Sequence, residues 1–204
     1  MNPPKCELVL FDFGGVLVDW DGVEPLVSIS RNRLTKDEAR RFWLESPSVR
    51  EFERGRCSPD EFAESVIREL DIPEPPAAFL EAFLSWDKGF LDGATELLEW
   101  VSRFPVVIGC LSNNNALHWP RLRKTFHLDR WFSLYFVSHE IGMMKPDPDV
   151  FEYVRGRIPV TAERVLFLDD NPENVDAARK AGFQAERTRG VSEARSVLES
   201  YLGA

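Results

Sequence analysis

The sequence predicts an α/β fold in which a doubly wound parallel sheet carries an inserted, all-helical subdomain. Three observations support this prediction. The 204 residues suit one domain with a small insert, and short apolar runs alternate with helix-like segments. The stretch from residue 19 to residue 90 contains crowded helical signals without strand-like runs.

Five short runs have the pattern of buried parallel strands. Each run is almost continuously apolar rather than alternating, which is typical of strands that helices cover on both faces. The runs are residues 6–11, 105–111, 134–138, 164–168 and, as the weakest of the five, 183–187.

The segments between these runs carry helix start signals. Residues that commonly cap a helix stand ahead of amphipathic stretches, and proline follows two of them at the first helical position. The predicted helix starts are at Asp92, at Asp147 with Pro148, at Asn171 with Pro172, and at Ser192.

The stretch 19–90 has a different sequence pattern from the rest of the chain. Two capping boxes, Thr35 with Glu38 and Ser58 with Glu61, precede apolar residues at helical spacing. We therefore predict about four helices here, forming a subdomain at 19–90 between two parts of the core at 1–18 and 91–204.

Composition excludes some classes of partner. The net charge of −9 and the lack of a basic cluster argue against nucleic acid. The three cysteines lack metal or redox spacing, which favours unpaired thiols in a reducing compartment. The N-terminal apolar run is interrupted by Asp12 and predicts neither a signal peptide nor a membrane span. A cytoplasmic protein, monomeric or homodimeric, is the expectation.

Polar residues follow the predicted strands. In an open parallel sheet the ligand site lies beyond the carboxyl ends of the strands, so these residues should converge. They are Asp12 after the first strand, Ser112 and Asn113 after the second, Lys145 after the third, and Asp169 with Asp170 after the fourth. Taken singly, each is more often a turn residue, a helix cap or a surface charge.

The combination points to a phosphoryl group. Three carboxylates and a lysine would repel or collapse unless a cation mediates between them, and Mg²⁺ binds through carboxylates, water and phosphate. Lys145 and the Ser112 hydroxyl would hold the phosphate, and Asp12 could attack it to form an aspartyl-phosphate. Gly14 and Gly15 would let the backbone approach closely.

The order of these motifs resembles the haloacid dehalogenase superfamily, whose Rossmann-like core carries a helical cap. DFGGVLVD with Asp12 is similar to its first motif, LSNN with Ser112 to its second, Lys145 in GMMKPDP to its third, and LFLDDNPENVDAARKAG with Asp169 and Asp170 to its fourth. The resemblance implies a phosphatase with Asp12 as nucleophile, and Ser112, the Asn113 amide and Lys145 on the phosphate. It also implies Mg²⁺ bound by Asp12, the Gly14 carbonyl and Asp170, with Asp169 orienting the metal's water ligands.

One position departs from the superfamily pattern. Typical phosphatases of the superfamily carry a second aspartate two residues after the nucleophile, as general acid and base, and Gly14 stands there. General acid–base help is worth about 10²–10⁴-fold in rate, so its loss matters.

Three hypotheses follow. DFGGV, LSNNN and ERGRCSPDEF resemble a bacterial branch that hydrolyses sugar phosphates such as glucose 1-phosphate, and a small phosphorylated metabolite is our preferred substrate. A regulatory module that binds a phosphorylated ligand without catalysis is an alternative from another class. A 2-haloacid dehalogenase is less favoured, because it would have no use for a metal site.

Several other residues are weaker candidates for contact with a substrate. His118 follows the second motif, Asp19 would fix the hinge into the cap, and others could line the cap's inner face. These last are Trp20, Asp21, Trp43, Arg54 and Trp86. An aromatic stripe is more often core than ligand-binding surface.

Overall fold

The computed structural model describes residues 5–203. In chain order the strands are β1 (Leu8–Phe11), β2 (Val18–Trp20), β3 (Asp87–Phe90), β4 (Val107–Ser112), β5 (Leu134–Val137), β6 (Val165–Asp169) and β7 (Gln184–Arg187). The helices are α1 (Val23–Ile29), α2 (Lys36–Glu45), α3 (Pro47–Glu53), α4 (Pro59–Leu70), α5 (Pro76–Leu84), α6 (Ala94–Val101), α7 (His118–Thr125), α8 (Ser138–Ile141), α9 (Pro148–Arg155), α10 (Pro172–Lys180) and α11 (Gly190–Leu202). Within the described chain, no helix combines the length and apolarity needed to cross a bilayer.

A five-stranded parallel sheet forms the core, in the order β5-β4-β1-β6-β7. Strand β1 lies at its centre, with Phe11 opposite Cys110 of β4 and Leu168 of β6. All four residues of β1 are buried, because neighbouring strands cover both edges and helices cover both faces. The α/β fold class and all five predicted strands are confirmed, with ends that shift by two residues at most.

Alternate residues of β1 feed two separate cores. Val9 and Phe11 pack in one hydrophobic cluster together with residues of α6 and α11. Leu8 and Leu10 pack in a second cluster on the opposite face with residues of α9 and α10. The period of two along a strand explains this division, and the sheet is a rigid platform between two helical layers.

The predicted helix starts are correct in two cases. Asp147 and Asn171 stand at the N-cap positions of α9 and α10, each followed by proline. The prediction at Asp92 is one residue early, because Gly93 is the N-cap of α6. The prediction at Ser192 is wrong, since α11 already begins at Gly190.

The earlier start of α11 has a local cause. The backbone N–H of Arg189, the N-cap residue, donates to the carboxylate of Glu193 at 2.7 Å, and the N–H of Gly190 donates to the carbonyl of Gly15 at 2.7 Å. These bonds hold the first turn two residues before Ser192.

We call α1–α5 the helical insert. The described chain has five helices here, one more than the rough prediction, and both predicted capping boxes are present. Its interior is aromatic, with the rings of Phe52 and Phe62 stacked at 4.2 Å and Phe79 and Phe83 stacked at 6.0 Å. Large aromatic groups stabilise this small core through their buried area. The subdomain boundaries at 19–90 stay a prediction.

Two strands join the insert to the core, contrary to the prediction that 19–90 contains none. β2 and β3 pair antiparallel, with Val18 opposite Phe90 and Trp20 opposite Asp87. The chain therefore leaves the core and returns to it through a two-stranded ribbon. Sequence patterns missed this ribbon because its strands are three and four residues long and lack an apolar run.

Candidate functional site

A cavity of about 320 Å³ lies between the carboxyl edge of the sheet and the helical insert. All the predicted site residues except Asp169 are among the described residues that line it: Asp12, Gly14, Ser112, Asn113, Lys145 and Asp170. The ends of β1 and β4 and the loops that follow β5 and β6 deliver them. The structure thus brings the four sequence motifs to one place.

Lys145 is the centre of the charged cluster. Its side chain is buried, and its Nζ donates to Asp169 Oδ2 at 2.6 Å and lies 2.8 Å from Asp12 Oδ1. Burial lowers the pKa of Lys145, but the carboxylates of Asp12 and Asp169 outweigh burial and hold that pKa above its ordinary value. Lys145 is therefore a fixed positive charge beside the predicted nucleophile.

Asp12 lies among other charged side chains. Burial raises the pKa of its carboxyl to about 7 even though the Lys145 ammonium lowers it, and the carboxylate of Asp169 adds to the rise. The Asp12 N–H donates to the carbonyl of Leu168 at 2.9 Å, which continues the pairing of β1 with β6. The sheet thereby fixes the backbone from which this carboxylate projects.

The three aspartates could together hold a cation. Asp12, Asp169 and Asp170 each offer a carboxylate oxygen, and these oxygens lie within 4.8 Å of one another. Burial, and then the neighbouring Asp169, raise the pKa of Asp170, which reflects repulsion inside the cluster. Hard oxygen donors and excess negative charge fit Mg²⁺.

Asp169 differs from the other two aspartates, because its oxygens are already engaged. It is buried, and it accepts from Asn171 N at 2.8 Å and from Asn174 Nδ2 at 3.0 Å, in addition to Lys145. A carboxylate held this firmly orients its neighbours and fits the predicted role behind the metal ligands.

The two glycines after the nucleophile differ in their surroundings. A Cβ at Gly15 would lie 2.7 Å from Asp170 Oδ2, and Gly15 has φ +69°, which favours glycine. A Cβ at Gly14 would meet no described atom outside its chain neighbours within 4 Å. Within the described protein, only Gly15 is therefore closed to a side chain. That both glycines let the backbone approach a phosphate stays a prediction.

Asn113 has a structural role that the sequence did not reveal. Its side-chain Nδ2 donates to the carbonyl of Lys145 at 2.9 Å, and its Oδ1 accepts from the N–H of Lys145 at 2.9 Å. This two-point contact fixes the backbone that carries the lysine. Ser112 beside it is buried, and its hydroxyl donates to the carbonyl of Asn113 at 3.3 Å.

His118 is a structural residue rather than a reactive one. Its Nε2 lies 2.9 Å from the carbonyl of Phe83, and its Nδ1 lies 3.2 Å from Asn115 Nδ2. Burial lowers its pKa, which favours the neutral ring. His118 thus connects α7 to the last helix of the insert.

The remaining weaker candidates divide. Trp20 and Trp43 line the cavity and meet edge to face, with ring centroids 5.3 Å apart. Trp86 packs inside the insert. Asp21 accepts from the N–H of Val23 at 3.2 Å and pairs with Lys88 at 3.6 Å. Asp19 is exposed.

Sequence reasoning did not single out Glu53 among the lining residues. Glu53, at the end of α3, is part-buried and faces the cavity from the side of the insert. Burial raises its pKa to about 7 although Lys145 lowers it, and Asp12 adds to the rise. In the sequence, Glu53 stands in ERGR within a helical stretch, which has the pattern of an exposed helix end. Its position at the cavity depends on how the insert folds onto the core, and the local sequence does not show that.

Comparison with known proteins finds a family whose sequence profile matches this chain. The sequence profile of haloacid dehalogenase-like hydrolases matches residues 6–182. The chain is 26% identical over 205 residues to D-ribitol-5-phosphate phosphatase of Bacteroides thetaiotaomicron, covering 95% of this chain and 97% of that protein. It is 30% identical over 178 residues to the sesquiterpene phosphatase astK of Aspergillus oryzae, covering 85% of each.

A solved structure agrees in fold. A HAD family enzyme of Bacteroides thetaiotaomicron, crystallised as a complex with magnesium and inorganic phosphate, superimposes with a TM-score of 0.74 at 23% identity. The match covers 90% of this chain and 94% of that one. The Rossmann-like core predicted from the sequence is therefore confirmed.

Proposed function

The chain belongs to the haloacid dehalogenase-like hydrolase family, and from this membership we propose that it is a magnesium-dependent phosphatase of a small phosphorylated metabolite. The superfamily and the enzyme class predicted from the motifs are confirmed by the family match and by relatives that are named phosphatases. A sugar phosphate or sugar-alcohol phosphate is the substrate class that we propose.

One observation carries this proposal. Asp12 and Lys145 lie in contact at 2.8 Å, beside Asp169 and Asp170, at the floor of a cavity large enough for a small metabolite. A carboxylate nucleophile next to a fixed cation suits attack on a phosphoryl group, because the transferred group carries negative charge that the cation stabilises.

Each residue has its own role in the proposed reaction. An oxygen of Asp12 attacks phosphorus, and the ester bond to the leaving alcohol breaks, which leaves an aspartyl-phosphate. Lys145 remains paired with Asp169 and stabilises the charge on the phosphoryl oxygens, together with the Ser112 hydroxyl and the backbone amide of Asn113. Water then hydrolyses the aspartyl-phosphate and regenerates the carboxylate.

Magnesium would complete this site. Asp12, Asp170 and the carbonyl of Gly14 would hold it, with Asp169 orienting its water ligands. When bound, the ion supplies positive charge that offsets the clustered carboxylates and polarises the phosphoryl oxygens. The helical insert would act as a cap that excludes bulk water from the reaction.

A substrate panel tests the proposal. We expect the purified protein to release inorganic phosphate from one or more sugar or sugar-alcohol phosphates, to lose activity in chelator and to regain it with Mg²⁺. Asp12→Asn should abolish turnover while leaving the melting temperature within a few degrees, since the side chain keeps its size.

Two results would overturn the proposal. Release of halide from 2-haloacids that is indifferent to chelator would identify a dehalogenase instead. Tight binding of phosphorylated ligands without turnover across the panel, unchanged in Asp12→Asn, would identify a regulatory binding module.

A further inference from the structure

The cavity lacks a proton donor where the superfamily pattern places one. Two residues after Asp12 the chain has Gly14, which carries no side chain. When the phosphorus–oxygen bond of an alkyl phosphate breaks, the leaving oxygen must gain a proton, and a positioned acid contributes about 10²–10⁴-fold to that step. Another group has to supply the proton if the enzyme hydrolyses such esters efficiently.

Few side chains in the cavity are free to do so. The titratable ones among the described lining residues are Asp12, Glu53, Asp87, His118, Lys145 and Asp170. Asp12, Lys145 and Asp170 belong to the nucleophile and metal cluster. Both ring nitrogens of His118 have partners within the protein, and Asp87 accepts from the N–H of Gly89 at 2.9 Å within the ribbon. Glu53 is left.

Glu53 has the properties of an acid that later acts as a base. Among the described residues, no hydrogen bond or ion pair engages its carboxyl. It is part-buried in a wall that faces Lys145 and Asp12, with Arg50 also near, and its pKa is raised to about 7. Both protonation states are therefore accessible near neutral pH, which suits alternate donation and acceptance.

The core itself holds the end of α3 in place. Arg50 and Arg54, which flank Glu53, both bind the carboxylate of Asp147, two residues after Lys145, and Arg50 Nη2 lies 3.0 and 2.9 Å from its two oxygens. A Cβ at Gly55 would lie only 2.3 Å from the carbonyl of His139, so the turn after α3 also abuts the core. These contacts hold the end of α3 against the core, at the cavity that Glu53 and Asp12 both line.

We propose that Glu53 of the helical insert is the general acid and then the general base of this enzyme, in place of the carboxyl missing at Gly14. The inference rests on the proposed phosphatase function. In the first step the protonated Glu53 gives its proton to the leaving oxygen as that oxygen departs from phosphorus, which yields the free alcohol and the aspartyl-phosphate. In the second step the Glu53 carboxylate takes a proton from the water that attacks phosphorus, which yields inorganic phosphate and restores both Asp12 and protonated Glu53.

Glu53→Gln tests this assignment through leaving groups of different basicity. The substrates are the best sugar phosphate from the panel and p-nitrophenyl phosphate, whose nitrophenolate leaves without a proton. We expect kcat/KM for the sugar phosphate to fall by about 10²–10⁴-fold, while the first-turnover burst of nitrophenolate changes by less than about threefold. Glu51→Gln, an exposed position on the same helix, is the matched control and should leave both rates unchanged.

A second variant tests for rescue. Because the space beside Gly14 is open, Gly14→Asp in the Glu53→Gln background should restore turnover of the sugar phosphate by at least about tenfold, since it returns a carboxyl to the usual position of the acid. Equal losses on both substrates, without rescue, would show that Glu53 is structural and would overturn the inference while wild-type activity keeps the proposed function standing. If the wild-type protein shows no turnover that depends on Asp12, both the inference about Glu53 and the proposed phosphatase function are overturned.

Discussion

Gly14 and Gly15 follow the same aspartate, but the protein around them constrains them differently. The backbone of Gly15 has a positive φ, and a side chain there would press on Asp170. Gly14 has neither restriction. Gly15 therefore leaves the space that the carboxylate of Asp170 occupies, and Gly14 marks a place where a carboxyl is absent for reasons other than space.

Gly15→Ala should perturb both stability and metal binding. The left-handed backbone costs a β-carbon roughly 1–2 kcal/mol, and displacement of Asp170 adds to that loss. Gly142→Ala is the matched control, because Gly142 has φ +74° but a Cβ there meets no described atom within 4 Å outside its chain neighbours.

Urea unfolding with and without Mg²⁺ measures the two effects. We expect Gly142→Ala to lose free energy of unfolding equally in both conditions. The loss in Gly15→Ala should be larger in the presence of Mg²⁺. Identical behaviour of the two variants would mean that Gly15 does not support the aspartate cluster.

Sequence reasoning predicts single residues well where a strand delivers them. Asp12, Ser112, Asp169 and Asp170 stand at strand ends, and the geometry of a parallel sheet alone brings them together. The structure assigns Asn113 a further contact, with the Lys145 backbone, that depends on two loops meeting. That meeting leaves no pattern in either loop, and Glu53 was missed for the same reason.

At the scale of elements, α3 contacts the loop that follows β5 and carries Lys145. Asp147 was predicted as the cap of α9, and it stands at that position, but its side chain does not accept the cap hydrogen bond. It binds Arg50 and Arg54 instead. A residue with the sequence signature of a helix start therefore acts as the anchor for another helix.

A double-mutant cycle measures this anchor. We expect Arg54→Ala and Asp147→Ala each to lower kcat/KM on a sugar phosphate, and the double variant to lose little more than either, with a coupling energy of about 1–2 kcal/mol. The exposed pair Arg56 and Glu51, at 3.2 Å, is the control and should couple by about 0–0.5 kcal/mol. Additive losses in the first cycle would show that the ion pair does not position α3.

An element was predictable from the sequence where its burial makes the residues apolar or where its capping signal is local. The five core strands are apolar because both of their faces are covered, and the capping boxes of α2 and α4 are local signals that need no tertiary context. The ribbon of β2 and β3 was not predictable, since short, partly exposed strands are stabilised by pairing with each other rather than by their own composition.

For the molecule as a whole, repulsion within the charged cluster lowers the free energy of unfolding of the metal-free protein. Three carboxylates gather around one lysine, and a bound cation would relieve the repulsion among them. A ligand that binds only the folded state stabilises it by about 2.7 kcal/mol when present at about 100 times its dissociation constant.

Mg²⁺ should therefore raise the melting temperature of the wild-type protein, and chelator should reverse the rise. Asp170→Asn should melt at a higher temperature than wild type in chelator, because one repelling charge is gone, and should respond little to Mg²⁺. Asp176→Asn, at an exposed position on α10, is the control and should respond as wild type does. A full Mg²⁺ response in Asp170→Asn would exclude this aspartate from the metal site.

The pairing of β2 with β3 also brings the two ends of the helical insert together. Because Trp20 and Asp87 lie opposite each other in the ribbon, the two ends of the segment between them are neighbours, and exchange for the corresponding segment of a relative needs only two adjacent junctions. The graft must keep an arginine for Asp147 and a carbonyl for His118, since these contacts cross the boundary. Chimaeras made on this plan would transfer the cavity wall that the insert forms, including Trp43 and Glu53, in one exchange.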